Sequence, residues 1–134
     1  MKNKITKKSA IGILIFALAV SGISSIKRAS AAALTSKSDV MSRLQSNTAS
    51  NHEITFTTPS GVSAAQTITV AFPSGFNVSS VNYGDIDVYD DATPLTLAAT
   101  CSGSTWGAAF SGQTLTITSC SGTISAGSVV KILI

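Results

Sequence analysis

Four aspartates fall within seven positions, Asp85, Asp87, Asp90 and Asp91, and form the densest group of chemically active side chains in this sequence. Carboxylate oxygens are hard ligands, and calcium takes roughly six to eight of them. Under strand alternation Asp85 and Asp87 share one face, while Asp90 and Asp91 lie in the adjoining loop. No glycine-punctuated calcium loop frames them. The competing reading is a solvated edge whose charges oppose strand-to-strand aggregation. Calcium is therefore the one cofactor the sequence admits, and nothing in it requires one.

The other reactive residue types are sparse. His52 is the only histidine and stands beside Glu53. A nucleophilic triad needs a serine held against the histidine and an acid behind it, and none of the serines sits in a nucleophile elbow. Alternation also sends His52 and Glu53 to opposite faces. No catalytic residue is assigned. Lys131 lies within an apolar run and reads as an outward lysine guarding an edge strand, with an isopeptide cross-link assisted by Glu53 as the sharper alternative. Tyr83, Tyr89 and Trp106 could offer an aromatic platform to sugar rings, although a lone tryptophan in an all-β chain is expected in the core. Cys101 and Cys120 are the only cysteines. Neither has a histidine or a second cysteine at metal-ligand spacing, so zinc is not expected. An even count in an exported chain reads as a disulfide.

The elements that must position these residues are strands. From Leu34 to Asn51 the chain is serine-rich, and its few apolar residues, Val40, Met41 and Leu44, fit a short helix, an edge strand or a loose arm equally well. Beyond it the hydrophobic period becomes two. Glu53–Thr58, Gln66–Phe72, Asp85–Tyr89, Leu95–Ala99, Trp106–Phe110, Thr114–Thr118 and Val129–Ile134 give about seven strands. Threonine recurs on the outward positions, where a β-branched body suits the pleat and a hydroxyl tolerates water. Pro59-Ser60-Gly61 and Pro73-Ser74-Gly75 carry turn chemistry. Ser111-Gly112 and Ser121-Gly122 read as tight hairpins, and Asp90 to Pro94 as a longer connection. Strands with one dry face imply an all-β, immunoglobulin-like antiparallel sandwich. Its expected core runs from Ile54 and Phe56 through Ile68, Phe72, Val88 and Trp106 to Leu115, Ile117, Val130 and Ile132. A hairpin about Ser111-Gly112 would bring Cys101 and Cys120 near opposition.

Charge divides the chain of 134 residues into two parts. Residues 1–33 hold six lysines and arginines and no acid, whereas residues 34–134 hold three against six acids. The net charge of +3 thus comes from the first segment, and the remainder stands at −3. A mildly acidic domain lacks the basic footprint that nucleic-acid binding requires. The first segment has the three parts of a secretion signal. Lys2 to Lys8 are basic, Ile11 to Val20 are continuously apolar, and Ala29-Ser30-Ala31 or Ala31-Ala32-Ala33 offers a peptidase its small residues. Cleavage is expected after Ala31 or Ala33. An uncleaved hydrophobic signal helix would instead anchor the protein, but Ser21-Gly22 interrupts the run short of the roughly 20 residues a span needs. Any membrane contact would run through this segment alone.

Three regions follow: the signal at 1–33, a serine-rich arm or edge segment at 34–51, and the sandwich at 52–134. The last strand runs to Ile134 without a closing turn, as in a truncated product or the first domain of a longer protein. Leu34-Thr35-Ser36-Lys37-Ser38-Asp39, Ser50 to Pro59, Thr67 to Phe76 and Thr105 to Gln113 together resemble secreted surface proteins of candidate-phyla (Patescibacteria-type) bacteria. That resemblance implies an immunoglobulin-like sandwich at the N-terminal end of a longer secreted protein and no particular activity. The Thr67–Phe76 stretch is also similar to sandwich modules of Gram-positive adhesins. The expected function is a non-catalytic structural or adhesive module, secreted or held at the cell surface, whose partners are other surface proteins or glycans. The alternative is a carbohydrate- or calcium-binding sandwich of a longer secreted protein.

Overall fold

Alternation of apolar and polar side chains can bury one face of a strand only if a second sheet covers it. The computed structural model, which describes residues 32–134, does this with nine strands in two sheets. They are β1 (Thr35–Met41), β2 (His52–Thr57), β3 (Thr67–Ala71), β4 (Asp87–Asp90), β5 (Thr93–Pro94), β6 (Leu97–Ala98), β7 (Trp106–Ser111), β8 (Thr114–Thr118) and β9 (Val129–Leu133). One sheet has the order β1-β2-β9-β4-β5 and the other β3-β8-β7-β6. The expected all-β sandwich is the observed architecture, with two more strands than the period-two segments alone indicated. The basic and apolar signal segment lies outside the described residues, together with Ala31. Ala33 is exposed and belongs to no strand.

The core sits between the two central strands. Leu115 and Ile117 of β8 face Val130 and Ile132 of β9 and Val88 of β4, all essentially without solvent contact. Trp106, Phe56, Ile68, Phe72 and Ile124 complete it. Val62 and Ala108 join this core although neither stood out in the pattern, Val62 through its bridge to Ile124 and Ala108 on β7 opposite Ile117. Ile54, Val70, Phe76, Leu95, Leu97 and Phe110 are only half-buried against it.

Several local expectations change. The arm settles as β1, an antiparallel edge strand on β2 with a bulge between Thr35 and Ser38, where Ser36 has φ 49°. Leu95–Ala99 is not one strand. The chain leaves the first sheet at Pro94 and enters the second at Leu97, so β5 and β6 are two-residue pieces on different layers. Pro94 is tolerated inside β5 because that strand is an edge with no further ladder to feed. Asp90 to Pro94 is a tight hairpin rather than a long loop, with Asp91 at φ 54°. Ser121-Gly122 makes no hairpin, since the next strand, β9, pairs in the other sheet. Ser111-Gly112 does turn β7 into β8 as expected.

Gly61 marks where turn chemistry is unforgiving. It has φ +70°, and a Cβ there would lie 2.9 Å from the Ala126 nitrogen with the Ile124 carbonyl oxygen closer still. Both neighbours are backbone and cannot rotate aside. Gly61→Ala is expected to cost about 2 kcal/mol through left-handed strain and the displaced Val62–Ile124 bridge. A urea midpoint equal to that of the wild type would contradict this.

Candidate functional site

An opening lies along one side of the sandwich, where β1 edges the first sheet and β3 edges the second. The two edges do not meet, and a groove of about 520 Å³ remains between them. Its walls are mostly apolar: Met41, Ile54 and Phe56 from one sheet, and Val70, Phe72 and Phe76 from the other side. Lys37 and Asp39 of β1 stand at the rim. β1 itself is exposed along nearly its whole length, so it overhangs the groove instead of closing it.

His52 is the polar residue built into this wall. It begins β2 and pairs with Met41, and its backbone exchanges hydrogen bonds with Ile134 at 2.9 and 3.0 Å. Register therefore turns its ring inward, where it is 6% exposed. Phe72 and Phe76 meet that ring edge-on, with centroids 5.6 and 5.3 Å away. Its Nδ1–H donates to the Asp39 carboxylate, lying 3.1 Å from each oxygen. Gln113 Nε2 donates to the Phe76 carbonyl at 2.8 Å and holds the aromatic turn in place. Enclosed in this way, the histidine ties β1 to β2. Removing the acceptor with Asp39→Ala leaves a buried N–H unpartnered and is expected to cost about 1 kcal/mol. Amide exchange should quicken in β1 and stay slow in β8. Uniform protection in the variant would exclude the fastening role.

The four aspartates do not converge. Asp85 is not on a strand but ends a 3-10 turn, Tyr83–Asp85, where its carboxylate accepts from the Asn82 backbone N–H at 3.0 Å. Asp87 is exposed on β4. With Asp85 and Glu53 it lines a hollow of about 460 Å³, the one place where two of the four come together. Asp90 faces inward at the end of β4 with Oδ1 buried and unpartnered, and Asp91 accepts the Val129 N–H at 2.8 Å. Among the described residues no three acids, histidines or cysteines stand close enough to hold a metal ion. The aromatic platform does not assemble either. Trp106 is 2% exposed in the core, Tyr83 is exposed on the 3-10 turn, and Tyr89 carries Lys131 over its ring at 4.7 Å. Lys131 guards no edge, because β9 is the middle strand of its sheet.

Cys101 and Cys120 are bonded, with Cα atoms 5.5 Å apart. The hairpin alone does not deliver this. β7 and β8 pair through Gly107 and Thr118, and a tight turn at Ser102 and Thr105 brings Cys101 back beside Gly107.

The sequence flagged His52 but not its partner. Asp39 lies thirteen residues away, across a serine-rich stretch of ambiguous period. Reading β1 as an antiparallel neighbour of β2 would have placed both side chains on the inner face. No protein-family model, curated protein or solved structure matches the chain. Fold and site geometry define a disulfide-linked β-sandwich with one open side, and that is the class within which a function must be sought.

Proposed function

We propose that the domain is a non-catalytic structural or adhesive module that works outside the cytoplasm, exported by the signal-like residues 1–33, and that it engages protein chains along its open side. The observation that carries this reading is the apolar groove between two free sheet edges. An extended segment added to such an edge gains main-chain hydrogen bonds, and its alternate side chains enter the groove. The paired cysteines agree with an oxidising compartment. The outer face of the β3–β8 pair adds a flat surface of Thr67, Thr69, Thr114, Thr116 and Thr118, on which no charged side chain stands.

Selection of random displayed peptides on immobilised residues 32–134 tests the proposal. Enriched peptides should alternate apolar and polar residues, shift backbone amides of β1 and β3, and lose binding to a Met41→Lys variant. Enrichment of peptides that bind elsewhere, or turnover of a hydrolase substrate panel, would remove it.

A further inference from the structure

We propose that β1 is a self-pairing edge, and that the partner it takes is the β1 strand of a second copy of this chain, antiparallel across a two-fold axis. This rests on the reading of the open side as a strand-docking surface and names its occupant.

The first argument is the state of the strand. An exposed edge normally carries a device against pairing, such as charged side chains, proline or a bulge. From Ser38 to Met41 the edge has no proline and no bulge, the irregularity being confined to Ser36 and Lys37, and the one charge in that stretch, Asp39, is engaged by His52. Val40 is 60% exposed and Leu34 41%. Antiparallel ladders alternate between hydrogen-bonded and open pairs. Ser42 N–H bonds the Asn51 carbonyl at 2.9 Å, so this phase turns the peptide groups of Met41 and Asp39 away from β2, toward solvent.

The second argument is charge complementarity, and it fixes the register. The only charged residues of β1 are Lys37 and Asp39, two apart and both exposed. In an antiparallel self-pair centred on Ser38, Lys37 of each copy stands opposite Asp39 of the other, twice by symmetry. Sliding the strands by one step of the same phase sets Lys37 against Lys37 or Asp39 against Asp39. Opposite charges directly across a ladder stabilise it and like charges oppose it. The same pairing places Lys37 of the second copy beside the Asp39–His52 contact at the groove rim. An isologous contact of this kind closes at two copies and does not propagate.

Sedimentation of residues 32–134, a compact unit with its own core and disulfide, tests the inference. The wild type should show a concentration-dependent monomer–dimer equilibrium. Lys37→Asp, which leaves the Asp39–His52 contact intact, should weaken it at least about tenfold by turning two attractive pairs repulsive. Asp39→Lys alone should also be monomeric, and mixing the two variants should restore a heterodimer. If Asp39→Lys fails to fold, as circular dichroism would reveal, the Lys37→Asp comparison decides alone. A wild type that stays monomeric at millimolar concentration, or a Lys37→Asp dimer as tight as the wild type, overturns the self-pairing. Peptide binding along β1 that survives such a result would leave the docking role standing. Loss of both removes the two together.

Discussion

Replacing Trp106 with alanine is expected to cost about 3–5 kcal/mol, a large part of the whole stability of a domain this size. The residue opens β7 and is 2% exposed, so the change removes the largest aromatic surface from the core and leaves a cavity. The cavity would not refill easily. The indole lies against the backbone at Gly122, where even a Cβ would come within 2.6 Å of Nε1, and that loop is tied by Ser119 to the Gly122 carbonyl and by the Ser121 N–H to the Gly103 carbonyl. Urea unfolding should show a lower midpoint with an unchanged slope. Phe110→Ala, at a half-buried position on the same strand, should cost clearly less. A Trp106→Ala loss below about 1 kcal/mol would mean that the indole is not a core residue.

The second large effect is expected from opening the disulfide. Cys101 and Cys120 are separated by 19 positions, and closing a loop of that size restricts the unfolded chain by about 3 kcal/mol. The double Cys101→Ser, Cys120→Ser variant should melt roughly 10–20 °C lower, and the oxidised wild type should fall to the same value when reductant is added. The bond holds the 99–105 loop beside Gly107, where β6 meets β7 in a two-residue parallel pair. That pair has little to hold it otherwise. Its melting should precede the rest of the domain in the variant. Because the bond and Trp106 border the same loop, the two substitutions should not be additive. Equal melting temperatures with and without reductant would refute the stabilising role.

What could be read from the chain and what could not divides along a physical line. Thr67–Ala71 and Thr114–Thr118 alternate strictly, and each fell on its expected strand because one face was dry and the other wet. Leu95 to Ala99 misled for the same reason. Alternation reports which residues are half-buried, not that they stay in one sheet, and here the chain changes layers between Pro94 and Leu97. β1 was ambiguous because an overhanging edge has no dry face, so its serines and lone apolar residues carry no period. The Asp39–His52 contact inherits that ambiguity. The aspartates looked like a cluster only in one dimension. A capping role for Asp85 and a turn at Asp91 spread them over separate neighbours. The disulfide partners were legible from count alone, whereas the turn at Ser102–Thr105 that brings them together was not.

The order of the first sheet also has a mechanical meaning. Thr35 and Val129 both sit opposite Thr57, while Leu133 lies at the far end opposite Glu53. β1 and β9 therefore run the same way on either side of β2. Tension drawn between Thr35 and Leu133 would drag β1 lengthwise along β2, loading the rungs of that ladder together rather than peeling them one at a time. Such an arrangement resists stretching far better than its equilibrium stability alone would indicate.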